Sequence, residues 1–321
     1  MMRKAITPVT RRSERGVALI TALLVVALAA VIATSLMTRQ TYDLRRAENL
    51  LHRDQALSYA LGGEDWAKSV LGQDNREVDG FMDIWATPLP PIPVDGGRVA
   101  SRIVDLQGRF NLNALVNKEG KPDEVQKARF ERLLKRLELD TAIATAVIDW
   151  IDPDINPEMG GAEDGEYLGR QPPYRTANRP MQSVTELRLV AGVDSEGYAR
   201  LAPLVSALPG NAPINLNTAP LEVLLSLADG LDATRLEEVL EARREKQFSS
   251  VADFLAQDAF GGQTVEAAGL GVNSNNFLAV TEATIGKARV IVYSVLSRSD
   301  KGRTRVLLRS LEPCLPAASC V

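Results

Sequence analysis

The chain of 321 residues contains one histidine, two cysteines and only 5% aromatic residues. With His52 alone, zinc sites built from several imidazoles are excluded, as is any catalytic arrangement in which histidine serves a distant nucleophile. His52 sits beside Arg53 in a polar stretch and reads as a surface residue, while Trp66, Trp85 and Trp150 are scattered and read as packing residues. There is no glycine-rich phosphate loop, and no Ser, Cys or Lys nucleophile has a plausible base in sequence, so an enzyme is disfavoured. Formal net charge is −4, which leaves no overall basic field to draw in nucleic acid. The remaining composition, 45% hydrophobic and 24% charged, is that of a globular protein with chain enough for two or three units.

What the sequence does have is a charge-free run from Val17 to Met37, preceded by Arg3, Lys4, Arg11, Arg12 and Arg15. A helix rising 1.5 Å per residue crosses a ~30 Å hydrocarbon core over that length. The basic cluster should remain in the cytoplasm, leaving the rest outside, in the periplasm of a Gram-negative cell, on a single inner-membrane span. A cleavable secretory signal is the rival reading, but its apolar core is only ~7–15 residues and ends at a small-residue site before the mature domain. Here Thr38 to Leu61 continues the run as a polar helix with no turn residue before Gly62 and Gly63.

The junction Glu14-Arg15-Gly16-Val17-Ala18-Leu19-Ile20 resembles the class III leader of type IV prepilins. That resemblance implies cleavage by prepilin peptidase between Gly16 and Val17 and methylation of the new amine; an uncleaved single-pass anchor is the alternative. Pilins carry glutamate five residues into the mature chain, and here that position is Thr21. A carboxylate in the bilayer is costly unless paired, and in pilins its partner is a neighbouring subunit's amine. A subunit at the growing tip has no such neighbour above it. Absence of the glutamate therefore resembles the K-type minor pseudopilins of type II secretion systems.

Beyond the anchor, Thr38 to about Leu71 keeps helical spacing through Leu44, Ala47, Leu50, Leu51, Ala56 and Leu57. Pro88-Leu89-Pro90-Pro91-Ile92-Pro93 forbids helix and is expected to be a semi-rigid connector. Arg98–Leu106, Phe277–Ile285, Ala288–Ser297 and Thr304–Leu311 read as strands, the last three joined at Gly286-Lys287 and Asp300-Lys301-Gly302. The stretch of about Asn111 to Asn276 is helix-rich and too long for a loop. The resulting expectation is an α+β fold, a pilin-like long N-terminal transmembrane helix packed on a small antiparallel sheet, with a large inserted all-α domain, SAM-like or helix-hairpin-helix-like. Its boundaries are a leader over 1–16, a membrane segment over 17–37, helix, connector and first strand over 38–112, the insertion over 113–276, C-terminal strands over 277–312 and a tail over 313–321. In the tail, Cys314 and Cys320 suit one disulfide in an oxidising compartment, a bond sequence alone does not establish.

The insertion holds a weak internal repeat. Phe110-Asn-Leu-Asn-Ala114 recurs as Ile214-Asn-Leu-Asn-Thr-Ala219, and Ser183-Val-Thr-Glu-Leu187 as Ser250-Val-Ala-Asp-Phe254. Each half starts with an Asn-rich turn able to cap a helix, which implies two small helical bundles. The segment from Ile214 through Gly230 and Leu231 also resembles the helix-hairpin-helix of DNA-uptake and repair proteins, so a membrane-anchored DNA-uptake or DNA-binding protein using residues 214–232 is the alternative function. Its hairpin, however, carries Asp229 and Asp232, whose charges would repel phosphate.

A sharper signal lies between Asp149 and Glu166, where seven acids occur with no Lys or Arg before Arg170. A hard divalent cation accepts six to eight oxygens and would fold a loop that otherwise repels itself open. Counted from Asp152, oxygens fall at the first, third, fifth and twelfth positions of an EF-hand, but Pro157 occupies the place where that motif needs glycine. The other reading is a solvated acidic loop. The stretch is similar to the Asp-Trp-x-Asp and Gly-Ala-Glu-Asp segments of K-type proteins, which implies Ca²⁺ held by Asp152, Asp154, Glu163 and Asp164, with Asn156 behind them; Asp149 is expected to face solvent or cap a helix. The same resemblance implies a structural role at the pseudopilus tip, with I-, J- and H-type minor pseudopilins and the major pseudopilin as partners and no nucleic acid.

Overall fold

The structure, a computed structural model, describes residues 14–299 and 303–311. Cys314 and Cys320, most of the basic leader and the turn at residues 300–302 lie outside the described residues. The chain divides into two units, the first ending at Asp54 and the second starting at Gln55. Helix α1, Glu14–Gln73, is continuous across that boundary. In the first unit its residues 16–51 are exposed.

In the second unit α1 packs on a five-stranded antiparallel sheet of order β1-β2-β7-β8-β9. The strands are β1 (Leu89–Val94), β2 (Gly97–Asp105), β7 (Asn276–Ile285), β8 (Ala288–Arg298) and β9 (Thr304–Ser310). Ala56, Ala60, Ala67 and Leu71 recur at helical spacing on one face and are fully buried against Val99, Ile103, Ala279, Ala283, Val292 and Leu296. Small side chains let the helix approach closely. Gly63 carries this furthest, because a Cβ there would collide with the Thr281 side chain. Helix register is fixed by one buried acid: Glu64 accepts from Arg309 Nε and Nη2, each at 2.8 Å, and from the Ser294 hydroxyl at 2.5 Å. Burial alone would raise the Glu64 carboxyl, but the hydrogen bonds from Arg309 and Ser294 and the charges of Arg309 and Lys68 outweigh it and hold it below its ordinary value.

The proline-rich segment is a strand rather than a detached connector. Leu89–Val94 pairs with β2 on one side and forms the sheet edge, where prolines without N–H groups cost no ladder bonds.

Between β2 and β7 the chain forms the insertion. Its elements are β3 (Phe110–Asn111), α2 (Glu124–Arg136), α3 (Ala142–Ile151), α4 (Asp164–Tyr167), α5 (Ser195–Leu201), β4 (Val205–Ser206), β5 (Ile214–Asn215), α6 (Leu221–Leu225), α7 (Ala233–Glu245), α8 (Val251–Leu255) and β6 (Leu270–Gly271). Besides helices it has two short parallel ladders, β3 with β4 and β5 with β6. The repeat seen in sequence is a repeat of hydrogen bonding. Asn113 donates to the Met181 carbonyl at 2.9 Å and accepts from the Met181 N–H at 2.8 Å, while Asn217 makes the same pair with Phe248 at 3.0 and 2.9 Å. Met181 and Phe248 each stand two residues before the serine of the second repeated motif, Ser183 and Ser250, both of which cap a helical turn. The two halves nevertheless share one hydrophobic core running from Phe110 to Phe260, not two bundles, because residues of both, such as Leu134 and Leu224, fall in the same buried cluster.

Sheet and insertion are joined by buried polar groups. Arg298, at the end of β8, donates to Asp74 at 3.1 Å and to Asp79 at 2.7 Å. Asp105, at the end of β2, accepts from Ser274, Thr218 and Asn215. Burial drives Asp79 up to about 7 against the pull of the Ser274 N–H and Arg298.

Candidate metal centre

Helix α3 is apolar and almost wholly buried, and its last turn carries Asp149 into the interior. Asp149 is fully buried instead of facing solvent. Its Oδ1 accepts the Glu158 N–H at 3.2 Å, so it pins the acidic loop back onto the helix that precedes it. A Cβ at residue 161 would collide with this carboxylate, which explains the glycine there. Asp152 follows as the C-cap, and the loop re-enters the core at Ala162 before α4 begins at Asp164.

This geometry brings Asp152, Asp154 and Glu163 together, each offering an oxygen within 4.8 Å of the others. Asp152 and Glu163 are buried and Asp154 is exposed, which gives the cluster a closed side and an open one. Asp152 Oδ1 and Glu163 Oε1 are buried without a hydrogen-bond partner among the described residues, as is Asp149 Oδ2. Burial first, then repulsion from Asp154, Asp149 and Glu163, pushes the Asp152 carboxyl up to about 7; burial likewise raises Glu163, and lifts Asp149 to about 6. Orphaned buried carboxylate oxygens that resist ionisation are the donor set a hard divalent cation satisfies.

The other two residues nominated from sequence are engaged differently. Asp164 accepts from the Thr176 N–H at 3.0 Å and lies 3.6 Å from Arg175. Asn156 donates its backbone and side-chain N–H groups to Asp154 Oδ1, at 2.8 and 3.1 Å, and so orients that carboxylate. Sequence reasoning missed Thr176 and Asn178. The Thr176 hydroxyl lies 2.8 Å from Glu163 Oε2, and Asn178 donates to the Asp154 carbonyl at 2.8 Å while its own Oδ1 stays buried and unpartnered among the described residues. Their only sequence signal is that Asn178, at φ 45°, adopts a conformation asparagine tolerates better than most residues. In a second carboxylate cluster, Asp74 and Asp79 already pair with Arg298, and Asp83 accepts from the Gly80 N–H and Trp85 Nε1.

The family described as type II secretion system (T2SS), protein K matches residues 108–210 and 214–273, which include the whole acidic loop and both halves of the repeat. Type II secretion system protein K of Pseudomonas aeruginosa is 40% identical over 94% of both chains, and that of Aeromonas hydrophila 36% identical over 94% of this chain and 97% of its own. The chain belongs to the type II secretion system protein K family. A chain of the crystal structure of the GspK-GspI-GspJ complex from enterotoxigenic Escherichia coli superposes with a TM-score of 0.74 at 28% identity, covering 83% of this chain and 99% of that one. As a protein K, the molecule is a minor pseudopilin of a type II secretion system, an assembly component from a structural family.

Family membership also displaces the DNA-uptake alternative. The hairpin between α6 and α7 is occupied by a carboxylate contact, Asp229 accepting from Arg132 Nε at 3.1 Å, where phosphate recognition needs free donors. Gly16 and Val17, the two residues of the proposed cleavage junction, lie exposed in α1. From Gly16 the helix is long and apolar enough to cross a membrane.

Proposed function

We propose that this protein K is anchored in the inner membrane by residues 17–37, with its main domain in the periplasm, and stands at the tip of the pseudopilus. The observation that carries the tip assignment is Thr21, whose hydroxyl donates to the Ala18 carbonyl of its own helix at 3.0 Å. A side chain satisfied in that way asks nothing of a neighbouring subunit's amine. The I- and J-type pseudopilins are its direct partners, since the related E. coli chain belongs to a complex named for K, I and J components. The H-type subunit and the major pseudopilin are further partners. Prepilin peptidase cuts between Gly16 and Val17, and the new amine is methylated.

The acidic loop holds Ca²⁺ through Asp152, Asp154 and Glu163, with Asp164 and Asn156 at its edge. Bound there, the cation supplies charge neutralisation and not chemistry, so the site orders the insertion. Mass spectrometry of the membrane form tests the processing: the expected chain begins with methylated Val17, and an intact leader would overturn it. Thr21→Glu tests the tip position. It should leave secretion no better than wild type, and a marked gain in incorporation along the shaft would refute the assignment.

A further inference from the structure

The face of the sheet turned away from α1 carries an apolar row that crosses four strands in register. Val104 pairs with Leu278, Leu278 with Val295, and Val295 with Leu308. Leu208 of the insertion covers part of this face, packing with Leu106, Leu278, Val280 and Tyr293. Next to Leu208 the insertion stands off, and a groove of about 500 Å³ opens between the sheet and the segments 179–185 and 205–209.

Three features make this groove more than a packing gap. Its sheet side ends at β9, where the ladder to β8 shifts so that Val306 pairs with Leu296 but Leu308 with Val295. Leu307 is thus the extra residue of a bulge, and both leucines line the groove, 37% and 50% exposed. Its described lining includes the exposed Arg179 and no Asp or Glu. Its insertion side contains Ser206, which is 3% exposed and whose Oγ has no hydrogen-bond partner among the described residues. A buried hydroxyl without a partner costs free energy unless something supplies one.

The two edges of the sheet differ as well. β1 is closed to further pairing by Pro90, Pro91 and Pro93, whereas β9 has no strand on its outer side among the described residues and carries no proline. A strand with one edge open among the described residues, bordering an apolar groove, is the arrangement that receives extended peptides, main-chain groups giving affinity and pockets giving selectivity.

We propose that this groove docks an extended segment of a second protein, one that places an apolar side chain against Leu278, Val295 and Leu308 and a carboxylate toward the arginine side. Charge decides the partner's chemistry: the exposed Arg179 guanidinium, with no acid in the described lining, selects an acidic-apolar segment over a basic one.

Fluorescence anisotropy on the full chain in lipid nanodiscs tests this, with labelled Asp-Val-Asp-Leu-Asp-Val as the probe and Lys-Val-Lys-Leu-Lys-Val as its charge-reversed counterpart. Saturable binding of the acidic peptide alone is expected, weakened at least tenfold by Leu308→Asp and by Arg179→Glu. Both side chains are exposed, so neither variant should unfold the protein; unchanged melting temperature is the control. Arg179→Glu should also shift preference toward the basic peptide. Equal binding of the two peptides, no saturable binding of the acidic one, or binding indifferent to Leu308→Asp would each overturn the proposal. So would saturable binding of dodecanoate without the acidic peptide, which would make the groove a site for small amphiphiles.

Discussion

Asp149 and Asp152 lie three residues apart and do different work. Asp149, buried at the end of α3, holds the loop by accepting backbone N–H groups; Asp152, one residue beyond the helix, leaves an oxygen with no partner in the protein. If that oxygen waits for calcium, neutralising it should cost the metal and relieve the apo protein together. Asp152→Asn with Glu163→Gln is therefore expected to raise the melting temperature without calcium and to abolish the calcium-dependent rise. For wild type at a hundredfold excess over Kd, that rise corresponds to about 2.7 kcal/mol, or about 5–10 °C for a domain of this size. Scanning calorimetry with and without calcium checks both halves, and a double variant that still gained stability from calcium would move the site elsewhere. Glu64 makes the opposite electrostatic case. Its carboxyl is held below the ordinary value in the fold, so its stabilisation is complete above the unfolded value near 4.5 and is lost as pH falls through the lower folded one. Arg309→Leu should thus destabilise clearly at pH 7 and progressively less as the acid is protonated, which melting curves across pH 2.5–7 would reveal.

The elements of this fold came from the sequence to different degrees, and the reasons are physical. Strands β2, β7, β8 and β9 could be read because one face of each packs on α1 and alternation records that. The proline segment could not, since local backbone chemistry forbids helix but does not say whether a strand lies alongside. The three gathered carboxylates were visible as a charge run, whereas Thr176 and Asn178 were not, because they reach the loop only through a turn of chain some twenty residues on. The Asn repeat was legible as letters, but its role, each second asparagine clamping both backbone polar groups of one residue, buried at Met181 and half-buried at Phe248, needed the structure. That role has a consequence at element scale. Asn113→Ala strands an N–H and a carbonyl at Met181, and Asn217→Ala the same pair at Phe248, for about 2–4 kcal/mol each if both are left unsatisfied. Chemical denaturation should find the larger loss at Asn113, because Phe248 is only half-buried and water can reach its polar groups. An Asn217 variant as stable as wild type would show that the second half of the repeat had lost its clamp.

Across the whole second unit the hydrophobic residues fall into separate clusters: those under α1, those on the outer sheet face, and the large one inside the insertion. The acidic loop belongs to the last of these at both ends, through Ile151 before it and Ala162 after it, and α4 follows with the fully buried Tyr167, edge-on to Trp150 at 5.3 Å. A cation that ordered the loop would thereby tighten the end of α3 and the aromatic group beside it. The sheet would feel this only indirectly, through Leu208 on its outer face and through the polar joint of Asp79, Asp105, Asn215, Ser274 and Arg298, which touches none of the loop's carboxylates. Calcium should then act regionally. In hydrogen exchange, amides from about 142 to 190 are expected to slow by tenfold or more on adding calcium, while those of β7 and β8 change little, because local opening of the insertion does not require opening of the sheet. Equal protection throughout would mean that the insertion and the sheet unfold as one cooperative unit, and protection confined to β7 and β8 would place the cation outside the loop altogether.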